Sequence, residues 1–180
     1  MQIEKSMLKQ FKIQAYIFIK ESPSNDFEWL ALAQHFGLPT RLMDWTFNPL
    51  VALFFAVENE HETDAAVYCA MPSGGLTIET ILFSPDGIFN TTHKAFRIVP
   101  DRKQVRYPNQ NGLFTLHLNP KVCDVQNFQQ KLLIPASARE SIRWRLRSIG
   151  ITKAFIYNTL EGLSHDIVKD RKRMYEDFFN

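Results

Sequence analysis

Residues 34–56, QHFGLPTRLMDWTFNPLVALFFA, place charged and polar side chains between two apolar stretches. This segment constrains the fold because a charge that is taken out of water needs a partner. Arg41 and Asp44 lie three positions apart, so one expectation is an internal ion pair or a set of hydrogen bonds to loop carbonyls. The alternative is a ligand site: Arg41 offers its guanidinium fork to a phosphate or carboxylate, Asp44 orients it, and Trp45 forms an apolar wall.

Two helices are predicted to flank a loop at residues 37–47. Gly37 ends the first helix, because a helix C-terminus favours a residue that tolerates positive φ. Asn48 and Pro49 begin the second helix, since proline in the first turn sacrifices no hydrogen bond. Asp44 or Thr46 could instead cap this second helix, whose N-terminus favours anions.

Catalytic signatures are sparse in the sequence. His35 lies at the end of the first helix, where the helix dipole favours a cation. A structural histidine is the default expectation, and a general base is the sharper alternative. No nucleophile elbow, P-loop or glycine-rich dinucleotide motif occurs. The stretch HETD at residues 61–64 lacks a second histidine at metal spacing, so it predicts a solvated turn, and we expect no metal.

A second polar cluster, RYPNQNG at residues 106–112, precedes a predicted strand. Arg106 and Gln110 could reach the same cavity as the first loop, because buried amides and guanidinium groups are usually paired. Turn chemistry alone could also account for residues 109–112. Both interpretations stay open at this stage.

The order of elements predicts an α+β fold: a single domain with a small mixed or antiparallel sheet flanked by helices. Apolar spacing predicts a first helix, and S-x-x-E at Ser137 and Glu140 predicts the capping box of a later one. The predicted helices are residues 3–20, 25–36, 49–58, 137–149 and 159 onward, and the predicted strands are residues 65–71, 112–118, 131–134 and 154–157.

Length and composition are those of one globular domain. We predict an N-terminal helix and connection at 1–26, a main domain at 27–163 and a helical tail at 164–180. The net charge of +2 argues against nucleic acid, and the basic run at 139–147 is expected to be a solvated helix face. Cys69 is expected to be buried. Nothing in the sequence suggests a signal peptide or a membrane span, so we expect no membrane association and a cytoplasmic location.

The segment at residues 34–56 resembles the FRG domain family. Its pattern is Q-H-[YF]-G-L-P-T-R-L-L-D-W-T-x-x-P-x-x-A-L-x-F-A, from which the chain departs only at Met43. Further on, residues 106–115 resemble the family segment R-x-x-x-Q-x-G-x-F-T, and KLLIPASARESIRWRLRSIGIT resembles its strand-helix-GIT stretch. The resemblance covers residues 27–163, although the F/Y-R-G motif that names the family is missing here.

This family is a mostly uncharacterised bacterial and phage domain, so the resemblance implies no defined reaction. A looser resemblance links a polar strand or loop ending in Thr, followed by an apolar helix, to ADP-ribosyltransferase-like domains, which hold NAD. It implies that the missing arginine would be the first catalytic element, Thr46 the second and Gln110 the third. This analogy concerns the fold only.

Two functional hypotheses follow. In the first, the chain is a nucleotide-binding, NAD-like or ADP-ribosyltransferase-like effector of bacterial or phage conflict, in which activity could have been lost. Its catalytic candidates are Thr46, Gln110 and His35, and its ligand-binding residues are Arg41, Asp44, Trp45, Thr46, Arg106 and Gln110. In the second, the chain is a non-catalytic protein-interaction module, and the loop between residues 37 and 47 is structural.

Overall fold

The computed structural model describes residues 2–70, 87–90, 95–98, 107–117 and 128–179. The chain divides into two compact units. Unit 1 consists of Met1–Trp45, Met71–Pro100 and Leu113–Asn127, and unit 2 of Thr46–Ala70, Asp101–Gly112 and Phe128–Asn180. The division predicted from the sequence, into segments 1–26, 27–163 and 164–180, is not tested by these units and stays a prediction.

The order of the described elements begins and ends with helices and places the short strands between them, which confirms the α+β class. The helices are α1 (Gln2–Ala15), α2 (Asp26–His35), α3 (Pro49–Val57), α4 (Gly87–Asn90), α5 (Tyr107–Gln110), α6 (Ala136–Ser148), α7 (Lys153–Tyr157) and α8 (Leu160–Phe179). The strands are β1 (Leu42–Thr46), β2 (Ala65–Ala70), β3 (Ala95–Ile98), β4 (Gly112–Leu116) and β5 (Phe128–Ile134). One sheet has the order β1-β4-β3, with β3 and β4 antiparallel, and the other is the antiparallel pair β2-β5.

Helix α2 begins as its sequence predicts. The Oδ1 atom of Asn25 accepts a hydrogen bond from the main-chain N of Glu28 at 3.0 Å, and the Glu28 carboxylate accepts one from the N of Ser24 at 2.6 Å. This reciprocal arrangement satisfies main-chain donors that the first turn leaves unpaired. The helix then buries Phe27 against Phe114 of β4, with ring centroids 5.8 Å apart in an edge-on contact.

Helix α1 is shorter than predicted, since it ends at Ala15 and not at residue 20. The residues that follow, Tyr16, Ile17 and Phe18, are aromatic or β-branched and have lower helix propensity than the preceding stretch. Within unit 1, α1 packs on α2 through Phe11, whose ring meets the edge of Trp29 at 6.4 Å.

The core of unit 2 is built around α3, as its almost wholly apolar sequence predicts. Asn48 caps this helix by accepting a hydrogen bond from the N of Leu50 at 3.0 Å. Val51 and Val57 are fully buried, and they belong to one apolar cluster with Ile156 of α7. The capping role proposed for Asp44 or Thr46 is therefore filled by Asn48.

Several local predictions are wrong. The predicted loop at 37–47 contains strand β1, because residues 42–46 pair with β4. The predicted strand at 154–157 is helix α7: Thr152 caps it through a hydrogen bond from the N of Phe155 to Oγ1 at 3.2 Å. A short apolar run is compatible with a strand or a helix, and here the N-cap at Thr152 identifies the segment as a helix.

The predicted capping box at α6 is also absent. Pro135 occupies the N-cap position, and Asp64 accepts a hydrogen bond from the N of Ala136 at 2.9 Å, so a residue distant in sequence replaces the expected local cap. Cys69, expected to be buried, is exposed on β2. In the parts of the chain that the structure describes, no helix has the length and apolarity needed to cross a bilayer.

Helices α7 and α8 approach each other closely at Gly162. A Cβ atom built on Gly162 would lie 2.9 Å from the main-chain oxygen of Lys153, which is closer than side-chain carbons come to backbone. The lack of a side chain at Gly162 therefore permits this packing, and the neighbouring atom is backbone that cannot rotate away.

We expect Gly162→Ala to lower the free energy of unfolding by about 1–3 kcal/mol, because the added methyl group must push the two helices apart. Urea denaturation of the variant and the parent chain measures this change. Ser164→Ala, at an exposed position of the same helix, is the matched control and should stay within about 0.5 kcal/mol of the parent. Equal losses in both variants would contradict the close approach.

Candidate functional site

The guanidinium of Arg41 is buried, with 2% of the residue exposed, and its partner is Glu4 of α1. Nε and Nη2 donate to the Glu4 Oε2 atom at 3.0 and 2.7 Å, and the main-chain N of Arg41 donates to Oε1 at 2.9 Å. Nη1 donates to the oxygen of Ile88 at 3.4 Å, and the group lies 5.0 Å from the ring centroid of Phe89. Arg41 therefore forms an internal ion pair, as one of the two alternatives predicts, but its partner is Glu4 and not Asp44.

Sequence reasoning missed Glu4 because it precedes Arg41 by 37 positions. A signal was present nonetheless. Glu4 and the buried Leu8 are four residues apart on α1, so they share one helix face, and that face turns towards the protein interior. A carboxylate at such a position needs a cationic partner.

Asp44 takes part in a separate network at the surface of unit 1. Its Oδ2 atom accepts a hydrogen bond from Nε2 of Gln34 at 2.5 Å, and the Gln34 oxygen in turn accepts one from the hydroxyl of Thr40. The surrounding protein atoms partly desolvate the Asp44 carboxylate and raise its pKa above the ordinary 3.8, although Gln34 acts in the opposite direction. Asp44 therefore links α2 to β1.

On the other face of β1, Trp45 begins a chain of hydrogen bonds. Its Nε1 atom donates to Oγ1 of Thr115 at 2.9 Å, and this oxygen lies 2.9 Å from Nε2 of His117. The Thr115 hydroxyl accepts from the indole, and it can either donate to Nε2 of His117 or accept from it, depending on the imidazole tautomer. His117 belonged to no motif in the sequence.

Thr46 and Gln110, both in unit 2, are brought together. The Thr46 hydroxyl donates to the main-chain oxygen of Gln110 at 2.6 Å and accepts from the N of Asn48 at 3.0 Å. The Gln110 side chain donates from Nε2 to the oxygen of Ile156 at 3.3 Å, and neighbouring Asn109 donates to the oxygen of Phe155 at 2.8 Å. Both candidate residues satisfy main-chain groups of their own unit.

Two further candidates complete the predicted set. His35 closes α2, and its ring contacts Phe36 edge-on at a centroid distance of 5.0 Å. Arg106 lies outside the described residues. The roles predicted for the whole set, in catalysis or in ligand binding, stay predictions.

The basic run at 139–147 differs from its prediction, because it is not a solvated face. Arg139 is 4% exposed, and its Nη1 atom donates to the main-chain oxygens of His61 and Thr63 at 2.9 and 2.8 Å. Its Nη2 atom donates to the oxygen of Asn59 at 2.5 Å. The residues of HETD are exposed, as predicted, but Arg139 holds their backbone.

Arg143 and Arg147 follow Arg139 at intervals of four, which places these three of the four arginines on one helix face. Arg143 donates from Nη1 to the oxygen of Val57 at 2.9 Å, which satisfies a carbonyl at the end of α3. Arg147 donates to Asp170 at 2.6 Å and to Asp166 at 2.8 Å. The carboxylates of Asp170 and Asp166 hold the pKa of Arg147 above its usual value. The spacing of the three arginines could have revealed this shared face.

Asp166 is a buried acid of unit 2, at 6% exposure. Burial alone would raise its pKa, but the amide of Ala154, 2.7 Å from Oδ2, and the guanidinium of Arg147 lower it overall. Asp166 thereby joins α6, α7 and α8. Across the described ranges, no group of three or more His, Cys, Asp or Glu side chains is arranged to hold a metal ion.

We expect the stability of Asp44→Asn, relative to the parent chain, to rise as the pH increases from 3 to 7. The raised pKa means that folded Asp44 holds its proton more readily than unfolded Asp44, so the parent loses stability as the carboxyl ionises. Asparagine does not titrate. Urea unfolding of both chains at several pH values measures the difference, and a difference that falls with pH would contradict the desolvated carboxylate.

A family scan assigns residues 1–65 to the FRG domain. No curated protein and no solved structure matches the chain. The extension of the resemblance to residue 163 stays a prediction. The resemblance that the 34–56 segment predicts is confirmed: over residues 1–65, the chain matches the FRG domain family.

Proposed function

We propose that this chain is a non-catalytic protein-interaction module in which residues 34–46 are structural. The observation that carries the proposal is the buried Arg41 guanidinium, whose Nε and Nη2 atoms are taken by the Glu4 carboxylate. An anionic ligand at Arg41 would have to displace an internal carboxylate and leave the largely buried Glu4 without a partner, which is costly.

The neighbouring polar groups support the same proposal. Asp44 bonds to Gln34, and Trp45 bonds to Thr115, so their polar atoms are already used inside unit 1. A catalytic constellation instead needs groups that converge on a position where a substrate atom can sit. These bonds join α2, β1 and β4, which is what a structural role requires.

Exposed apolar side chains around the end of α1 favour a protein as the partner. Ile13, Tyr16, Ile17 and Phe18 all expose at least 68% of their surface. Such clusters are typical of surfaces that bind another macromolecule, since apolar groups gain from leaving water. Tyr16 adds a polar tip to an apolar ring, as interface residues often do.

We expect Arg41→Ala to lower the free energy of unfolding by about 3–5 kcal/mol, because it strands the largely buried Glu4 carboxylate. Arg145→Ala is the matched control: it removes the same side chain from an exposed position on α6 and should cost less than about 1 kcal/mol. Urea denaturation measures both values.

The double variant Glu4→Ala/Arg41→Ala makes this test sharper. Because neither charge is then left without its partner, we expect the double variant to be more stable than Arg41→Ala alone. The free energies of unfolding of the parent, the two single variants and the double variant form a thermodynamic cycle that gives the coupling energy between Glu4 and Arg41. A structural role for Arg41 would be wrong if Arg41→Ala unfolded like the parent chain and lost only the binding of a ligand.

The second candidate function is binding of NAD or a similar nucleotide, in an ADP-ribosyltransferase-like effector. One observation favours it: Thr46 lies in hydrogen-bond contact with the main chain of Gln110. By the fold analogy, Thr46 and Gln110 are two of the three expected catalytic elements.

On this candidate, Glu4 occupies the position of an anionic ligand, and Glu4→Gln should weaken its hold on Arg41. We expect isothermal titration of Glu4→Gln with millimolar NAD to give binding at least about tenfold tighter than that of the parent chain. If neither protein binds NAD, this second candidate is wrong, and the structural role of Arg41 is unaffected.

A further inference from the structure

Unit 2 contains a cleft of about 610 Å³ that no predicted site residue lines. It lies between α6, the loop that follows α3, the start of α7, and α8. This volume is in the range of small-molecule sites. Phe54, Trp144 and Ile151 supply apolar surface, and charged side chains supply most of the remaining lining. A cleft of this kind has room for an organic molecule with a charged group.

In the lining of the cleft, most cationic side chains are buried or half-buried, whereas most carboxylates are exposed. Five cations and two carboxylates are buried or half-buried, whereas three carboxylates are exposed. The inner cations are Arg139, Arg143, Arg147, Lys153 and Lys169, the inner carboxylates are Glu58 and Asp166, and the exposed carboxylates are Glu60, Glu62 and Glu140. The interior is therefore positive, and the acids that balance it lie where water screens them.

Three of the inner cations already have carboxylate partners. Arg147 pairs with Asp166, Lys153 with Glu58, and Lys169 with Glu60. Among the ion pairs of the described residues, none includes Arg139 or Arg143. Both guanidinium groups bond only to main-chain oxygens, which carry no net charge. Neither guanidinium group is therefore in direct contact with a carboxylate of the described residues, although Arg143 is near enough to Glu60 to help lower the pKa of that exposed carboxyl.

Both groups also have unused donors. Arg143 is half-buried and uses Nη1 on the oxygen of Val57; within the described ranges its Nε and Nη2 atoms have no hydrogen-bond acceptor. The Nε atom of Arg139 is buried and has no acceptor among the same residues. Buried donors without acceptors are rare, because each costs free energy until a partner arrives.

We propose that this cleft binds the phosphate group of a small phosphate monoester, with Arg143 as its principal contact and Trp144 as a wall for the organic part. Two guanidinium charges match the charge of about −1.5 to −2 that a phosphate monoester carries at neutral pH. The planar fork of arginine fits phosphate oxygens, whose lone pairs can accept from the unused Nε and Nη2 donors of Arg143, while the buried Arg139 contributes its charge. The proposal does not depend on the function proposed for residues 34–46.

Titration calorimetry of the full chain tests the ligand class. The probes are AMP, ribose 5-phosphate, inorganic phosphate and, as the uncharged control, adenosine. We expect the phosphate-bearing probes to bind and adenosine to bind at least about tenfold more weakly than AMP, since the charged contact is lost. AMP binding tighter than that of inorganic phosphate would assign the organic part to the cleft, and equal binding would restrict the site to phosphate.

Three variants place the binding in this cleft. Arg143→Gln should weaken AMP binding by about tenfold or more, whereas Arg145→Gln, with the same charge change at an exposed position of α6 outside the lining, should stay within about twofold. Glu60→Gln should tighten AMP binding, because it removes an acid from the rim while Arg143 is kept.

The proposal is overturned if no phosphate-bearing probe binds at millimolar concentration, or if adenosine binds as tightly as AMP. It is also overturned if Arg143→Gln and Arg145→Gln weaken AMP binding equally. Arg143→Gln could destabilise the end of α3, since Arg143 bonds to Val57. In that case Glu60→Gln decides, because its exposed pair with Lys169 contributes little to folding, and unchanged AMP affinity there contradicts the proposal.

Discussion

Unit 1 depends on a guanidinium group that has been removed from water. Burial of Arg41 is tolerable only because Glu4 receives three of its N–H groups, including the one on the main chain. The carbonyl of Arg41 also accepts a hydrogen bond from the N of His117, directly after β4. Helix α1, strand β1 and the end of β4 therefore meet at one residue, and the ion pair fixes where α1 can lie against the sheet.

Unit 2 uses arginine differently. On α6, Arg139 and Arg143 direct their guanidinium groups at main-chain carbonyls, while Arg147 pairs with carboxylates on α8. Carbonyls at a helix end and in the loop beyond it lack the partners that regular structure provides, and a long side chain with several donors can supply them. This choice leaves positive charge inside the unit, which is the basis of the proposed phosphate site.

Local chemistry was predictable from the sequence and distant pairing was not. Asn48 caps α3 as expected, because a cap involves residues only two or three positions apart. Residues 154–157 were misassigned, since four apolar residues fit a strand or a helix until the Thr152 cap is recognised. For Arg41, the sequence leaves an ion pair with Asp44, hydrogen bonds to loop carbonyls and a bound ligand as alternatives, whereas chain topology supplies Glu4. The sequence thus revealed the need for a partner but not its identity.

The hydrogen bonds from Arg139 to the loop after α3 affect which substitutions this loop can tolerate. The three carbonyls that it binds, at Asn59, His61 and Thr63, belong to the backbone, so the path of the loop does not depend on which side chains it carries. Substitutions at the exposed loop residues that line the cleft, Glu60, His61 and Glu62, can alter its rim while the path of the loop persists. As long as Arg139 is kept on α6, the side chains of this loop can change, and the ligand preference of the cleft can change with them.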